Sequence, residues 1–119
     1  MPQSALKNQS QAYNLDMRSV FQFLLNNPPI QIEQFVCCGK TFKFNEPYRL
    51  TVKIDDDAIW HENKELDIIV SGRTVDELLQ DFFEFTHATW EGLVNTDDKL
   101  SKSAEELKGR LMAAMLEVK

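Results

Sequence analysis

The stretch TVDELLQDFFEFTHATWEGLV, residues 74–94, predicts one long amphipathic helix. Its apolar side chains recur at steps of three and four residues, a spacing that lines one side of a helix with 3.6 residues per turn. Thr74 and Glu77 have the spacing of a capping box, which places the start of the helix directly after Thr74. Because the stripe is broad and aromatic, it needs a sheet-sized apolar surface, and we expect the upstream residues to provide it.

The residues before this helix alternate between apolar and polar with a period of two, which is typical of β-strands. Gly39 can supply the positive φ of a first hairpin turn, and Pro47, which lacks an amide, marks a bulge or an edge. The predicted strands are residues 30–36, 40–44, 48–54, 58–62 and 66–70.

A second helix is predicted downstream, where Ser101 or Ser103 can cap an apolar stripe that runs from Ala104 to Val118. Strands followed by helices predict the α+β class, with an antiparallel β-meander sheet and the helices packed on one face.

The N-terminal part of the chain has a different character. Residues 1 to about 12 are polar, and the apolar pattern from Tyr13 to Leu25 predicts a helix that is apolar nearly all round. A helix this short is marginal alone in water, so it must dock on the domain or on another subunit. The predicted organisation is therefore a polar tail and helical arm, residues 1–29, and one α+β domain, residues 30–119.

Length and charge restrict the class of partner. The chain has 119 residues, enough for one domain with its own core. Its net charge of −6 is unevenly placed, because the residues up to Ile54 carry +3 and the remainder −9. An acidic domain lacks the positive field that drives binding to phosphates, which disfavours nucleic acid and favours a basic protein as the partner.

The cysteines and the hydropathy pattern indicate the compartment. Cys37 and Cys38 are adjacent, and a disulfide between neighbours closes a strained ring, so a reducing, cytoplasmic setting is expected. No apolar run approaches the roughly 18 residues of a membrane span, and the N-terminus lacks the pattern of a secretory signal.

Residues that could carry metal or acid–base chemistry are few. Zinc ligands usually follow paired spacings such as C-x2-C or H-x3-H, and Cys37, Cys38, His61 and His87 follow none of them. The sequence therefore predicts no metal and no cofactor. His61 and His87 can titrate near neutrality, but no nucleophile motif or phosphate loop accompanies them, so no enzymatic activity is expected.

Two kinds of binding residue remain. Gly72, Arg73 and Thr74 place free amides and a guanidinium at a helix N-terminus, which suits an anion or is simply a tight strand-to-helix turn. Arg49 and Lys53 lie on one face of a predicted strand, where they form a basic patch or protect the strand from aggregation.

Three further residues are predicted to contact a partner. They are Trp60, on a predicted strand, and Glu84 and Trp90, on the long helix. The acidic faces of both predicted helices suit a basic protein, and they are equally typical of solvated surface.

A pattern of short motifs runs through residues 48–93: the strand YRLTVKID, an acidic turn, Ile59-Trp60, Leu66, the turn Ser71-Gly72, and TVDEL at the helix start. This pattern resembles the HicB-like antitoxin domains and related small bacterial proteins with a half-RNase-H-like sheet. The resemblance implies binding to a small basic toxin ribonuclease, oligomerisation and, often, a C-terminal DNA-binding segment. The chain departs from the pattern because its last predicted helix has no helix-turn-helix or ribbon-helix-helix character.

Taken together, these features predict a non-enzymatic protein-binding or regulatory module that forms a homodimer and binds a partner such as a small basic toxin-like protein. One alternative is a small-ligand or anion-binding domain, or an enzyme, that uses Gly72, Arg73 and Thr74 with His61 nearby. Another is a nucleic-acid binder that uses Arg49 and Lys53.

Overall fold

The computed structural model describes residues 29–119, so the predicted polar tail and helical arm lie outside the described residues. Antiparallel strands followed by two helices confirm the predicted α+β class. No helix in this range is both long enough and apolar enough to cross a membrane. The elements are β1 (Ile30–Cys37), β2 (Lys40–Leu50), β3 (Lys53–Asp55), β4 (Ala58–Asn63), β5 (Ile68–Gly72), α1 (Val75–Leu93), α2 (Lys102–Ala114) and β6 (Met115–Val118).

The strands form two three-stranded antiparallel sheets. The first has the order β1-β2-β6, with β2 in the centre, and the second is the meander β3-β4-β5. The predicted strand 48–54 is divided between them, because Thr51 and Val52 lie outside both β2 and β3. Alternation continues through this break, so the sequence pattern gave no sign of it.

The first hairpin has a two-residue turn. Cys37 pairs with Lys40, and both residues between them have positive φ, 57° at Cys38 and 78° at Gly39. Two consecutive left-handed residues form the type I′ turn, whose twist matches that of the flanking strands. The predicted role of Gly39 is confirmed. Cys38 has no such freedom, and its left-handed backbone costs about 1–2 kcal/mol.

The predicted irregularity at Pro47 is confirmed. The register of β1 against β2 shifts between Ile32, which pairs with Tyr48, and Gln34, which pairs with Lys43. The strand β2 therefore bulges around Pro47, where a residue without an amide cannot join the ladder.

Two other boundaries differ from the prediction. The strand predicted at 66–70 begins at Ile68, because Asp67 has a φ of 56° and belongs to the turn. The helix predicted to continue to Val118 ends at Ala114, and residues 115–118 form β6 instead. Met115 pairs with Phe44 and is 1% exposed, so pairing with the edge of β2 overrides the helical spacing.

Both helices begin with the predicted caps. Thr74 Oγ1 accepts a hydrogen bond from the amide of Glu77, as a capping box predicts, whereas Glu77 Oε1 accepts one from the amide of Arg73 and not from that of Thr74. Ser101 Oγ accepts a hydrogen bond from the amide of Ala104. These bonds satisfy amides that a helix start otherwise leaves without partners.

The helix α1 supplies the centre of the core through Phe82, which has no exposed surface. Its ring lies close to rings from both sheets and from its own helix. The distances between ring centroids are 4.8 Å to Tyr48, 5.9 Å to Phe83, 6.3 Å to Phe35, 6.3 Å to His61 and 6.4 Å to Phe44. The predicted apolar surface of strands that packs against α1 is therefore present, and aromatic residues of both sheets contribute to it.

Candidate binding surfaces and a cysteine–histidine cluster

The predicted anion site is occupied by the chain's own carboxylates. Glu77 Oε1 accepts a hydrogen bond from the amide of Arg73, and Asp81 Oδ2 accepts one of 3.0 Å from the amide of Ser71. The Arg73 side chain is exposed, whereas His61 is buried, so the two do not meet in a cleft. Gly72 allows β5 to pack closely against the start of α1, because a Cβ at this position would lie 2.6 Å from the backbone nitrogen of Leu78. This geometry favours the tight-turn interpretation of these residues.

His61 belongs to a buried hydrogen-bond network that the sequence did not reveal. Its Nδ1 lies 2.8 Å from the carbonyl oxygen of Thr51, which can only accept, so Nδ1 carries the proton. Nε2 therefore accepts from the Tyr48 hydroxyl at 2.7 Å, and that hydroxyl accepts from Asn63 Nδ2 at 3.2 Å. Every polar group is satisfied with a neutral imidazole, which indicates a structural role for His61.

The network predicts a pH dependence of stability. Burial lowers the pKa of His61 from its ordinary value of 6.5, the nearby Lys53 charge lowers it further, and the bond to Thr51 opposes both. Below about pH 6.5 the unfolded chain therefore binds a proton that the folded chain does not. The unfolding free energy then decreases as the pH is lowered, until the pH also passes below the folded-state pKa.

The measurement is urea unfolding of the wild type and of His61→Gln at several values between about pH 7.5 and pH 5.5. The variant should lose less stability than the wild type over this interval, because it has no imidazole to protonate. Equal losses in the two proteins would contradict the prediction.

The predicted basic residues lie in different sheets. Arg49 is exposed on β2, whereas Lys53 is exposed on β3, where its Nζ lies 4.8 Å from the centre of the Trp60 ring. The two cations therefore belong to separate sheets.

The two tryptophans are both at least half-buried. Trp60 is half-buried beneath Lys53, and Trp90 is 5% exposed and packs against Phe42. The prediction that Trp90 contacts a partner is therefore wrong, because this side chain lies in the core.

The solvent side of α1 is uniformly acidic. The helix has no Lys or Arg, and its five carboxylates are Asp76, Glu77, Asp81, Glu84 and Glu91. Glu77, Glu84 and Glu91 are spaced by seven residues, so they form a stripe with steps of about 10.5 Å along the helix. Glu84 is exposed and, within residues 29–119, hydrogen-bonds only to Gln80 of the same helix, at 2.6 Å.

The outer face of the first sheet carries exposed apolar side chains beside the polar Gln34 and Lys43. Its exposed side chains include Val36 at 65%, Leu116 at 46% and Val118 at 45%. Thr41 of β2 pairs with Val36 on one side and with Val118 on the other, which places the two valines in one row across the sheet. Exposed apolar residues that adjoin each other in this way mark interaction surfaces more often than isolated ones do.

A groove of about 560 Å³ lies between β2, the turn after β4, and α2. Arg110 Nε donates to the carbonyl of Glu65 at 2.6 Å across it, and its charged lining residues balance: Glu46 and Glu65 against Arg49 and Arg110. Its volume falls in the range of small-molecule sites. The sequence did not predict this groove, because its walls come from segments far apart in the chain.

Three soft metal ligands, Cys37, Cys38 and His87, lie together at the first hairpin, although the sequence did not predict that they meet. The Sγ atoms of Cys37 and Cys38 are 3.4 Å apart, and a ring nitrogen of His87 lies within 4.8 Å of both. Cys37 is buried, Cys38 is exposed and His87 is half-buried. Burial raises the pKa of the Cys37 thiol to about 11, and the adjacent Cys38 and the charge of Glu84 act in the same direction.

Comparison of the chain with protein-family models, with curated proteins and with solved structures found no match to any of them. The resemblance to HicB-like antitoxins therefore stays a prediction, and the surfaces described above are the basis for assigning a function.

Proposed function

We propose that this chain is a non-enzymatic, protein-binding regulatory module, similar in role to a HicB-like antitoxin, whose partner is a basic protein. The observation that carries the proposal is the acidic stripe of α1: the helix has no Lys or Arg, and among the described residues Glu91 alone of the stripe is paired with a Lys or Arg, namely Lys40. Complementary charge steers a basic partner to such a surface and suppresses partners of the same sign.

The geometry of the rival sites supports the same choice. At the helix N-terminus the amide of Arg73 donates to Glu77 Oε1 and the amide of Glu77 donates to Thr74 Oγ1, so two amides that an anion could use are already bonded within the chain. His61, the one histidine near that end, is held in a neutral structural network. Neither arrangement assembles the roles that a catalytic site requires.

The nucleic-acid alternative receives less support. Arg49 and Lys53 are in separate sheets, and Lys53 covers Trp60. A protein that binds the phosphates of nucleic acid needs several cations on one continuous surface, and its affinity decreases steeply as the salt concentration rises.

Glu84→Lys should abolish most of the binding to the basic partner. The change reverses an exposed charge of the stripe without breaking a cap, because among the described residues Glu84 hydrogen-bonds only to Gln80. We expect the dissociation constant to rise by roughly tenfold or more, since charges across an interface each contribute more than a kilocalorie. The measurement is capture from lysate of the source cells by immobilised wild-type chain, identification by mass spectrometry, and titration with the purified partner.

The matched control is Glu105→Lys, which makes the same change on the exposed side of α2. The proposal requires that the captured protein be basic and that Glu105→Lys bind it as the wild type does. An acidic partner, or equal losses in the two variants, would contradict the assignment to α1.

The proposal includes a homodimer formed through the outer face of the first sheet. Val36, Leu116 and Val118 expose apolar surface there, and β1 and β6 have one unpaired edge each within the described residues. Burying such surface against a second copy is favourable and removes an open edge. Sedimentation at micromolar concentration should show a dimer, and Leu116→Lys should shift it to monomer. A monomeric wild type would refute this part of the proposal.

A small-ligand module is the second candidate, and the groove between β2 and α2 favours it over the helix N-terminus. Its 560 Å³ and its paired charges would suit a zwitterionic molecule. If Glu84→Lys leaves partner binding unchanged, this groove is the next site to probe, with Arg49→Ala as the variant.

A further inference from the structure

We propose that Cys37, Cys38 and His87 form a binding site for one zinc ion, with two thiolates, one imidazole and a fourth position open to water or to an exogenous ligand. The proposal rests on the side-chain geometry of three residues from β1, its turn and α1, and it does not depend on the proposed function, although Glu84 and Glu91 of the acidic stripe lie near the site. Thiolate and imidazole ligands are the set that Zn²⁺ prefers.

The distances fit a tetrahedral centre after small side-chain movements. Two sulfur ligands at about 2.3 Å from zinc lie about 3.8 Å apart, and a sulfur and a nitrogen ligand about 3.5 Å apart. The Sγ–Sγ distance here is 3.4 Å, and all three ligand atoms lie within 4.8 Å of one another. Rotation of the exposed Cys38 and of the half-buried His87 side chain brings the set to the required separations.

The surroundings hold the ligands in place. Cys38 has the left-handed backbone of the turn, which sets the position of its Cα, and its thiol lies 3.4 Å from that of Cys37. The His87 ring packs edge-on against Phe42, with centroids 5.9 Å apart. Glu91 Oε2 lies 3.8 Å from Nε2 of His87, beyond hydrogen-bond distance, so this carboxylate acts on the imidazole through its charge.

The charges near the site are compatible with a cation. Lys40 is the closest Lys to the turn in sequence, and it is bound to Glu91 at 2.7 Å, which leaves its charge compensated. Glu84 is close enough to act on Cys37. When zinc binds, each coordinating thiol releases its proton to solvent, and the metal replaces that positive charge.

The test is titration of the reduced full chain, kept under a phosphine reductant, with Co²⁺ and then with Zn²⁺. We expect one Co²⁺ per chain, with the intense visible bands of a four-coordinate ion and a sulfur-to-cobalt charge-transfer band, and complete displacement by Zn²⁺. Cys38→Ala and His87→Ala should each weaken Zn²⁺ binding by roughly 100-fold, because each removes a ligand.

Ile69→Ala is the control, because it changes an exposed side chain of β5 outside both proposed sites and should keep wild-type affinity. Circular dichroism of each variant identifies loss of fold, which is not expected, since Cys38 is exposed and His87 lies at the edge of the core. A spectrum of six-coordinate cobalt, one metal per two chains, or unchanged affinity in both ligand variants would overturn the proposal. A disulfide between Cys37 and Cys38 that persists under the reductant would overturn it as well.

Discussion

Phe82→Ala should destabilise the domain by about 3–5 kcal/mol, the usual cost of removing a fully buried aromatic ring. Phe82 has no exposed surface, and its ring lies near Tyr48, Phe35 and Phe44 of the first sheet and near His61 of the second, so neither sheet can collapse into the space alone. A loss of this size is a large fraction of the total stability of a small domain. Urea unfolding followed by circular dichroism measures it.

Phe85→Ala is the matched control, because Phe85 lies on the same helix and is only half-buried. We expect a loss below about 2 kcal/mol there, in proportion to the smaller area removed from water. Equal losses at the two positions would mean that Phe82 is not the centre of the core.

Gly72→Ala should destabilise the domain by roughly 1–3 kcal/mol or more, although it adds only one methyl group. The new Cβ would lie 2.6 Å from the backbone nitrogen of Leu78 and 2.8 Å from Glu77 Cβ. Backbone cannot rotate away as a flexible side chain does, so β5 and the first turn of α1 must separate. The thermal midpoint and the urea midpoint of the variant measure the effect.

Gly92→Ala provides a control of opposite sign. Gly92 lies inside α1 with open space around its Cβ position, so alanine should stabilise the helix by about 0.5–1 kcal/mol. A stabilised Gly72→Ala would show that the junction between β5 and α1 is looser than the contact distances indicate.

Features governed by neighbours in sequence were predictable. The capping box at Thr74, the turn at Gly39 and the irregularity at Pro47 each depend on a few adjacent residues, and all three are present. Features that depend on distant partners were not. The apolar stripe that ends at Val118 has helical spacing, yet residues 115–118 pair with β2, more than sixty positions earlier.

The candidate sites follow the same rule. The acidic face of α1 could be read from the sequence, because helical periodicity alone sets which carboxylates share a side. The cluster at Cys37, Cys38 and His87 could not, since almost fifty residues separate its two parts. Trp90 was predicted to contact a partner although it belongs to the apolar stripe of α1, because its packing against Phe42 of β2 could not be read from the sequence.

The position of β2 between β1 and β6 has a consequence for biosynthesis. The strand β1 precedes β2 directly and can pair with it as soon as both have left the ribosome, whereas β6 emerges after every other described element. Until then the nascent chain exposes one open flank of β2, beside Phe42 and Phe44, to chaperones and to other growing chains. We therefore expect the yield of folded protein in cells to be most sensitive to translation rate and chaperone supply in this last interval of synthesis.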